Sequence, residues 1–191
     1  MDREPTREQA WNLLVEYVPS DGLQRHALAV EAVMRHMARR AGEDEETWGL
    51  VGLVHDIDYE KFPEQHCVKA REILAGAGWP EPLVRAVVSH GWGICSDVEP
   101  LSVMERTLFA CDELTGLVAA ACLVRPSRSV LDLGVKSVQK KWKDKAFAAG
   151  VNRGVIEQGA AMLGVELPVL IEQTIEGMRT AAEAIGLKGN L

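Results

Sequence analysis

Asp21-Gly22-Leu23-Gln24-Arg25-His26-Ala27-Leu28-Ala29-Val30-Glu31-Ala32-Val33-Met34-Arg35-His36-Met37-Ala38-Arg39-Arg40-Ala41-Gly42 is the stretch on which the fold reading turns. Leu23, His26, Val30, Val33 and Met37 recur at steps of three and four, which is one stripe of a 3.6-residue helix. Ser20 or Asp21 caps it and Gly42 stops it. The stripe turns His26 toward the core. His36 falls about 80° away on the same helix, near Arg25, Arg39 and Arg40, and reads as exposed and outside any site.

The same period runs outward in both directions. Thr6 to Gln9 has the pattern of a capping box and opens a helix to about Val18. Further helices fit about Glu46–Asp56, a segment after the Tyr59–Pro63 loop to about Ala75, and Trp79 to about His90. Pro100 opens another to about Cys122, with a second capping box at Ser102 and Glu105. Val135–Ala149, Asn152–Leu163 and Pro168–Ile185 complete the series. No segment alternates as a strand would. The chain therefore reads as all-α, a single compact helical domain over 1–191, with its core over about 20–125 and a lysine-rich part over about 126–191.

Composition narrows the function classes. The 191 residues are 47% hydrophobic and 26% charged, the balance of a globular chain. No apolar run reaches membrane-spanning length, and Met1–Pro5 is polar and charged, so the expectation is a cytoplasmic protein without membrane association. The formal charge of −7 disfavours a nucleic acid polymer as partner. Between Lys136 and Arg153, however, Lys136, Lys140, Lys141, Lys143, Lys145 and Arg153 face Asp144 alone, which suits a small anionic ligand or simply a solvated face. Cys67, Cys95, Cys111 and Cys122 form no C-x-x-C pair, so free thiols are expected and a thiolate zinc site is not.

Spacing also singles out titratable groups. Leu101, Met104, Leu108, Asp112, Thr115 and Ala119 share a stripe, which puts a carboxylate on an inward face. Leu83, Val87 and His90 align on one helix, and His66, Ala70 and Ile73 on another. His55 and Asp56 close the helix that carries Leu50, Leu53 and Val54. A His-Asp dipeptide alone arises by chance in roughly one shuffled chain in four. Four inward histidines and two aspartates on five helices are explained together by metal coordination, since imidazole and carboxylate suit Fe, Mn, Zn and similar ions.

His26, then His55-Asp56, then Asp112, in this order on helices, resembles the HD-domain metal-dependent phosphohydrolase superfamily, and Leu53–Pro63 resembles the signature of its HDIG type. The likeness covers roughly 20–155 and includes the lysine-rich segment from Val135 to Arg153. It departs at the fourth signature position, where HDIG has glycine and this chain has Asp58. The resemblance implies an HD-type helical domain with His26, His55, Asp56 and Asp112 around one metal. It implies His66 and His90, with Asp56 as bridge, around a second. Members use Fe, Mn, Ni, Co, Zn or Mg, and the nitrogen-rich set favours Fe or Mn.

The function expected is hydrolysis of a small phosphate ester, a nucleotide among the candidates, by a metal-activated water. Asp56 and Lys69 are the catalytic candidates, Lys69 because it follows His66 by three residues. Lys136, Lys140, Lys141 and Arg153 are candidates for holding phosphate. Asp58 and Glu60 are candidates for proton transfer or for orienting a ligand. Two alternatives stand beside this reading: a di-iron HD-type oxygenase, and a non-catalytic metal-stabilised module that senses a nucleotide or binds a partner. Homo-oligomerisation, substrate and metal identity are left open.

Overall fold

The computed structural model describes residues 5–190; of the polar stretch Met1–Pro5, only Pro5 lies within it. Among the described residues the chain is helical throughout, with one isolated bridge between Trp92 and Ser96. The helices are α1 (Arg7–Tyr17), α2 (Asp21–Ala41), α3 (Glu45–Val54), α4 (Val68–Gly76), α5 (Glu81–Ser89), α6 (Val103–Leu123), α7 (Val135–Trp142), α8 (Arg153–Leu163) and α9 (Leu167–Arg179).

Local chemistry sets the boundaries. Thr6 and Ser102 each accept from the backbone N–H three residues on, while Gln9 and Glu105 reach back, closing both capping boxes. Asp44 accepts from Thr47 N at 2.7 Å to open α3. Gly42 ends α2 with φ of 73°, a conformation that glycine adopts without steric cost.

Two apolar clusters share the long helices. α1, α3, α4 and α5 pack on Val30 and Met34 of α2 and Leu108 of α6. α7, α8 and α9 pack on Ala29 and Val33 of α2 and Cys111 and Leu114 of α6. α3 is buried at every position from Trp48 to Val54, as expected of a helix that is apolar all round. It lies close on α2 because Gly52 lacks a side chain: a Cβ there would sit 3.0 Å from the Val30 carbonyl oxygen. Glu31, 4% exposed, bridges this layer by accepting from Arg7 and Arg35.

Four expectations are corrected. α7 ends at Trp142 rather than Ala149, because the Arg153 guanidinium gathers the carbonyls of Trp142, Asp144 and Phe147 and the chain turns through Ala148 at φ 46°. α9 ends at Arg179, followed by turns. Leu101 precedes α6 and is 58% exposed, so it is not part of the inward stripe. His36 is half-buried, its Nε2 2.9 Å from Gln173 Oε1, rather than exposed.

Candidate metal centre

The centre is built from helix ends. His55 caps the C-terminus of α3 and is fully buried. Its Nδ1 lies 2.8 Å from the Gly52 carbonyl, an acceptor that keeps the proton on Nδ1. Nε2 is turned toward the two aspartates and has no hydrogen-bond partner among the described residues, so it can take up either a proton or a metal ion. His90 caps α5 in the same manner, with Nδ1 2.5 Å from the Val87 carbonyl. His66 points its Nδ1 at Asp58 Oδ1, 2.7 Å away. In each case a backbone or carboxylate oxygen fixes the tautomer that leaves Nε2 free to bind a cation.

These nitrogens converge on Asp56, and its two oxygens divide them. Oδ1 lies 3.4 Å from His66 Nε2 and 3.4 Å from His90 Nε2, and the two nitrogens are 3.1 Å apart. Oδ2 lies 3.4 Å from His55 Nε2 and 4.0 Å from His26 Nε2. Asp112, on α6, places Oδ1 2.9 Å from His26 Nε2 and 3.2 Å from His55 Nε2. Two donor groups share Asp56, one of His26, His55, Asp56 and Asp112 and the other of Asp56, His66 and His90, and a third set, His66 with Cys67 and Cys95, lies beside them. Ligands about 2.1 Å from a metal are about 3.0–3.4 Å from each other in octahedral or tetrahedral shells. All of the donor spacings but the 4.0 Å from His26 to Asp56 are close to that range, and an ion would satisfy the orphaned His55 nitrogen.

The electrostatics favour a cation. Burial opposes charge on His55, but Asp56 and Asp112 outweigh it and hold its pKa well above the usual value. Burial also opposes charge on both carboxylates. Asp56 is nonetheless held well below the usual carboxylate range by His55 and His90, and Asp112 by His55 and His26. For His66, burial is outweighed by Asp58 and Asp56, and its pKa rises.

A cavity of about 380 Å³ opens over the centre. His26, Asp56, His66, His90 and Asp112 form its floor, and Leu23, Tyr59, Ile94, Cys95, Glu113 and Val155 contribute to its walls. Burial pushes the Glu113 carboxyl up, while its Oε2 accepts from Asn152 N at 3.1 Å. Sequence reasoning passed over Glu113; the only signal was its place beside Asp112. Cys95 was read only as a free thiol. Its Sγ lies 3.3 Å from Cys67 Sγ, and the hydrogen bond between the two thiols brings its pKa down to about 6.

The cationic candidates lie elsewhere. His66 is not on α4: the chain kinks at Cys67, which holds φ of 68°, and α4 begins at Val68. Lys69 therefore does not share a helix face with His66. Its Nζ pairs with Glu72 at 2.6 Å and sits over the Phe62 ring. Arg153 is engaged by three carbonyls. Lys141 lies over the Phe147 ring, and Lys136 and Lys140 are exposed. Among the described residues none of these five lines the cavity. Asp58 is fully buried, accepting from Ala70 N as well as meeting His66, while Glu60 accepts from Ser20 N at the surface.

A family model described as HD domain matches residues 23–117, the span that holds all six donors. Neither a curated protein nor a solved structure matches the chain.

Proposed function

Because the chain belongs to the HD-domain superfamily through residues 23–117, we propose that it is a metal-dependent phosphohydrolase acting on a small phosphate ester. The observation that carries this reading is Asp56, whose two oxygens each face a separate set of imidazole nitrogens. That arrangement suits a carboxylate bridging two divalent ions, Fe or Mn by the donor chemistry. Metal ions bound there would supply an acidified water and charge to neutralise phosphate oxygens.

The chain's own groups do the rest. His26, His55 and Asp112 would hold one ion and His66 and His90 the other, and the Nδ1 partners of His55, His66 and His90 keep those three rings from turning. Leu23, Tyr59, Ile94 and Val155 offer the leaving group an apolar wall. Glu113, whose pKa is raised by burial, stands where a proton can be passed to a departing oxygen. With no lysine or arginine in the lining among the described residues, phosphate charge must be met at the metals, which favours a monoester over a polyphosphate.

The test is direct. Purified protein is expected to carry one to two transition metals per chain and to release phosphate from a monoester panel. Asp56→Ala is expected to lose both metal and activity. Fully metallated protein that releases phosphate from no ester in the panel overturns the reading.

A further inference from the structure

Cys67 and Cys95 belong to neither donor group of the metal centre, yet they form part of its surroundings. Their Sγ atoms are 3.3 Å apart across 28 residues of sequence, and both are free thiols. Cys67 is 1% exposed. Cys95 is half-buried and reaches the cavity. Both sulfurs lie over the bare Cα of Gly91, where a Cβ would collide with each of them. Gly91 in turn accepts from the N–H groups of Ile94, Cys95 and Ser96, so the turn bearing Cys95 is held tightly.

We propose that Cys67 and Cys95 form a modification site, a reversible disulfide made by exchange with a small-molecule disulfide such as oxidised glutathione. Cys95 is the accessible thiol and reacts first. Its thiolate attacks one sulfur of oxidised glutathione: the Cys95–glutathione bond forms, the glutathione S–S bond breaks, and one glutathione leaves as thiolate. Cys67 then attacks the Cys95 sulfur, the Cys95–glutathione bond breaks, and the second glutathione leaves as a thiol carrying the proton that Cys67 gives up, while the first glutathione thiolate takes up the proton that Cys95 had released. The sum is two protein thiols and one oxidised glutathione converted to one protein disulfide and two reduced glutathiones.

Bond formation closes the sulfurs from 3.3 Å to about 2.05 Å. The movement is felt beside the metal centre, because Cys67 directly follows His66 and Gly91 directly follows His90. These are the two histidines that face Asp56 Oδ1. Oxidation therefore loosens that donor group. The disulfide itself does not depend on the hydrolase reading; only this last consequence assumes a metal at the centre.

The experiment equilibrates the purified full chain in glutathione buffers of rising oxidised fraction, quenches by alkylation, and reads intact mass and peptide maps. Two thiols are expected to become unreactive together and to return with dithiothreitol, in a single cross-linked species joining the Cys67 and Cys95 peptides. Cys111 and Cys122 are both fully buried and serve as internal controls. Cys95→Ser is expected to abolish the cross-link, and the wild-type peptide map decides the matter should that variant fail to fold. Metal retained per chain is expected to fall on oxidation and recover on reduction. Four thiols alkylated in the most oxidising buffer overturn the proposal. Protection released by a chelator rather than by reductant also overturns it, since His66, Cys67 and Cys95 would then be holding a thiophilic ion. Metal content unchanged in fully oxidised protein overturns the link to the centre.

Discussion

Replacing Asp58 with asparagine tests the metal centre at a residue that is not itself a donor. The Asp58 carboxylate is fully buried and uses both oxygens, Oδ1 toward His66 Nδ1 at 2.7 Å and Oδ2 toward Ala70 N at 2.8 Å. Asparagine keeps the volume but supplies one acceptor instead of two. If its oxygen stays on the Ala70 N–H, the amide NH₂ faces His66 Nδ1. The imidazole proton must then move to Nε2, the atom aimed at Asp56 Oδ1 and His90 Nε2. That nitrogen can no longer bind an ion. If the oxygen turns to His66, the NH₂ meets the Ala70 N–H, and a buried donor is left unpaired at about 1–3 kcal/mol. The variant must lose one or the other. Loss of such a partner weakens metal binding about 10–100-fold, or about 1.4–2.7 kcal/mol. Metal per chain after dialysis against buffered Mn or Fe measures it, with thermal denaturation alongside. On the proposed two-ion reading, binding at His66 and His90 is expected to weaken, while binding at His26, His55 and Asp112, which Asp58 does not touch, is retained. Asp58→Asn protein that holds both ions at wild-type affinity with an unchanged melting temperature refutes the reasoning.

Two further predictions concern stability. Glu105 is 4% exposed, and burial raises its pKa, but the N–H groups of Ser102 and Leu101 and the Arg85 guanidinium outweigh it and hold the carboxyl low. A depressed pKa stabilises the fold above the unfolded value of about 4.3, and that stability is lost as pH falls through the folded value. Glu105→Gln is expected to cost about 2 kcal/mol at pH 7, or about 4–8 °C in Tm, with the gap to wild type closing below about pH 4.3; a gap constant through acid pH contradicts the assignment. Gly159 of α8 rests on α6, where an added Cβ would lie 2.6 Å from Ala110 Cα, so Gly159→Ala should destabilise by about 1–3 kcal/mol in urea unfolding. Gly76, with nothing near its Cβ position, should gain up to about 1 kcal/mol from the same change, and equal effects at the two positions would contradict the packing account.

Apolar period and capping residues carried the helices of the first half nearly to their ends, because α1, α2, α3 and α6 have side-chain caps, a glycine stop or an unbroken inward stripe. The same spacing singled out His26, His55, Asp56, His66, His90 and Asp112, which the structure brings within a few ångströms of one another. What spacing could not show is where the chain abandons its period. The positive φ at Cys67 detaches His66 from α4 and takes Lys69 with the helix, and no propensity announces such a kink at a cysteine. Arg153 reads as one cation in a basic run, yet its guanidinium closes the turn after α7, a role that depends on contacts six to eleven residues back. Cys67 and Cys95 lie too far apart in sequence for any local pattern to join them.

The two donor groups differ in how firmly the fold holds them. α2 and α6 each bury residues in both apolar clusters, so neither can shift without opening a packed core on one side or the other. His26 and Asp112 sit on these two helices, and His55 sits at the end of α3, which is buried all round. That group is fixed by packing. His66 hangs in the turn before α4 and His90 at the last turn of α5, both helices of nine residues. Each ring is oriented by one hydrogen bond, to Asp58 and to the Val87 carbonyl, and α4 and α5 pack in one apolar cluster only. A centre built in this way has a firmer half and a more compliant half that share Asp56. The more compliant half is the one that the Asp58 carboxylate steadies and that the Cys67–Cys95 pair adjoins, so a small local change there acts on the centre with the least disturbance to the packed cores.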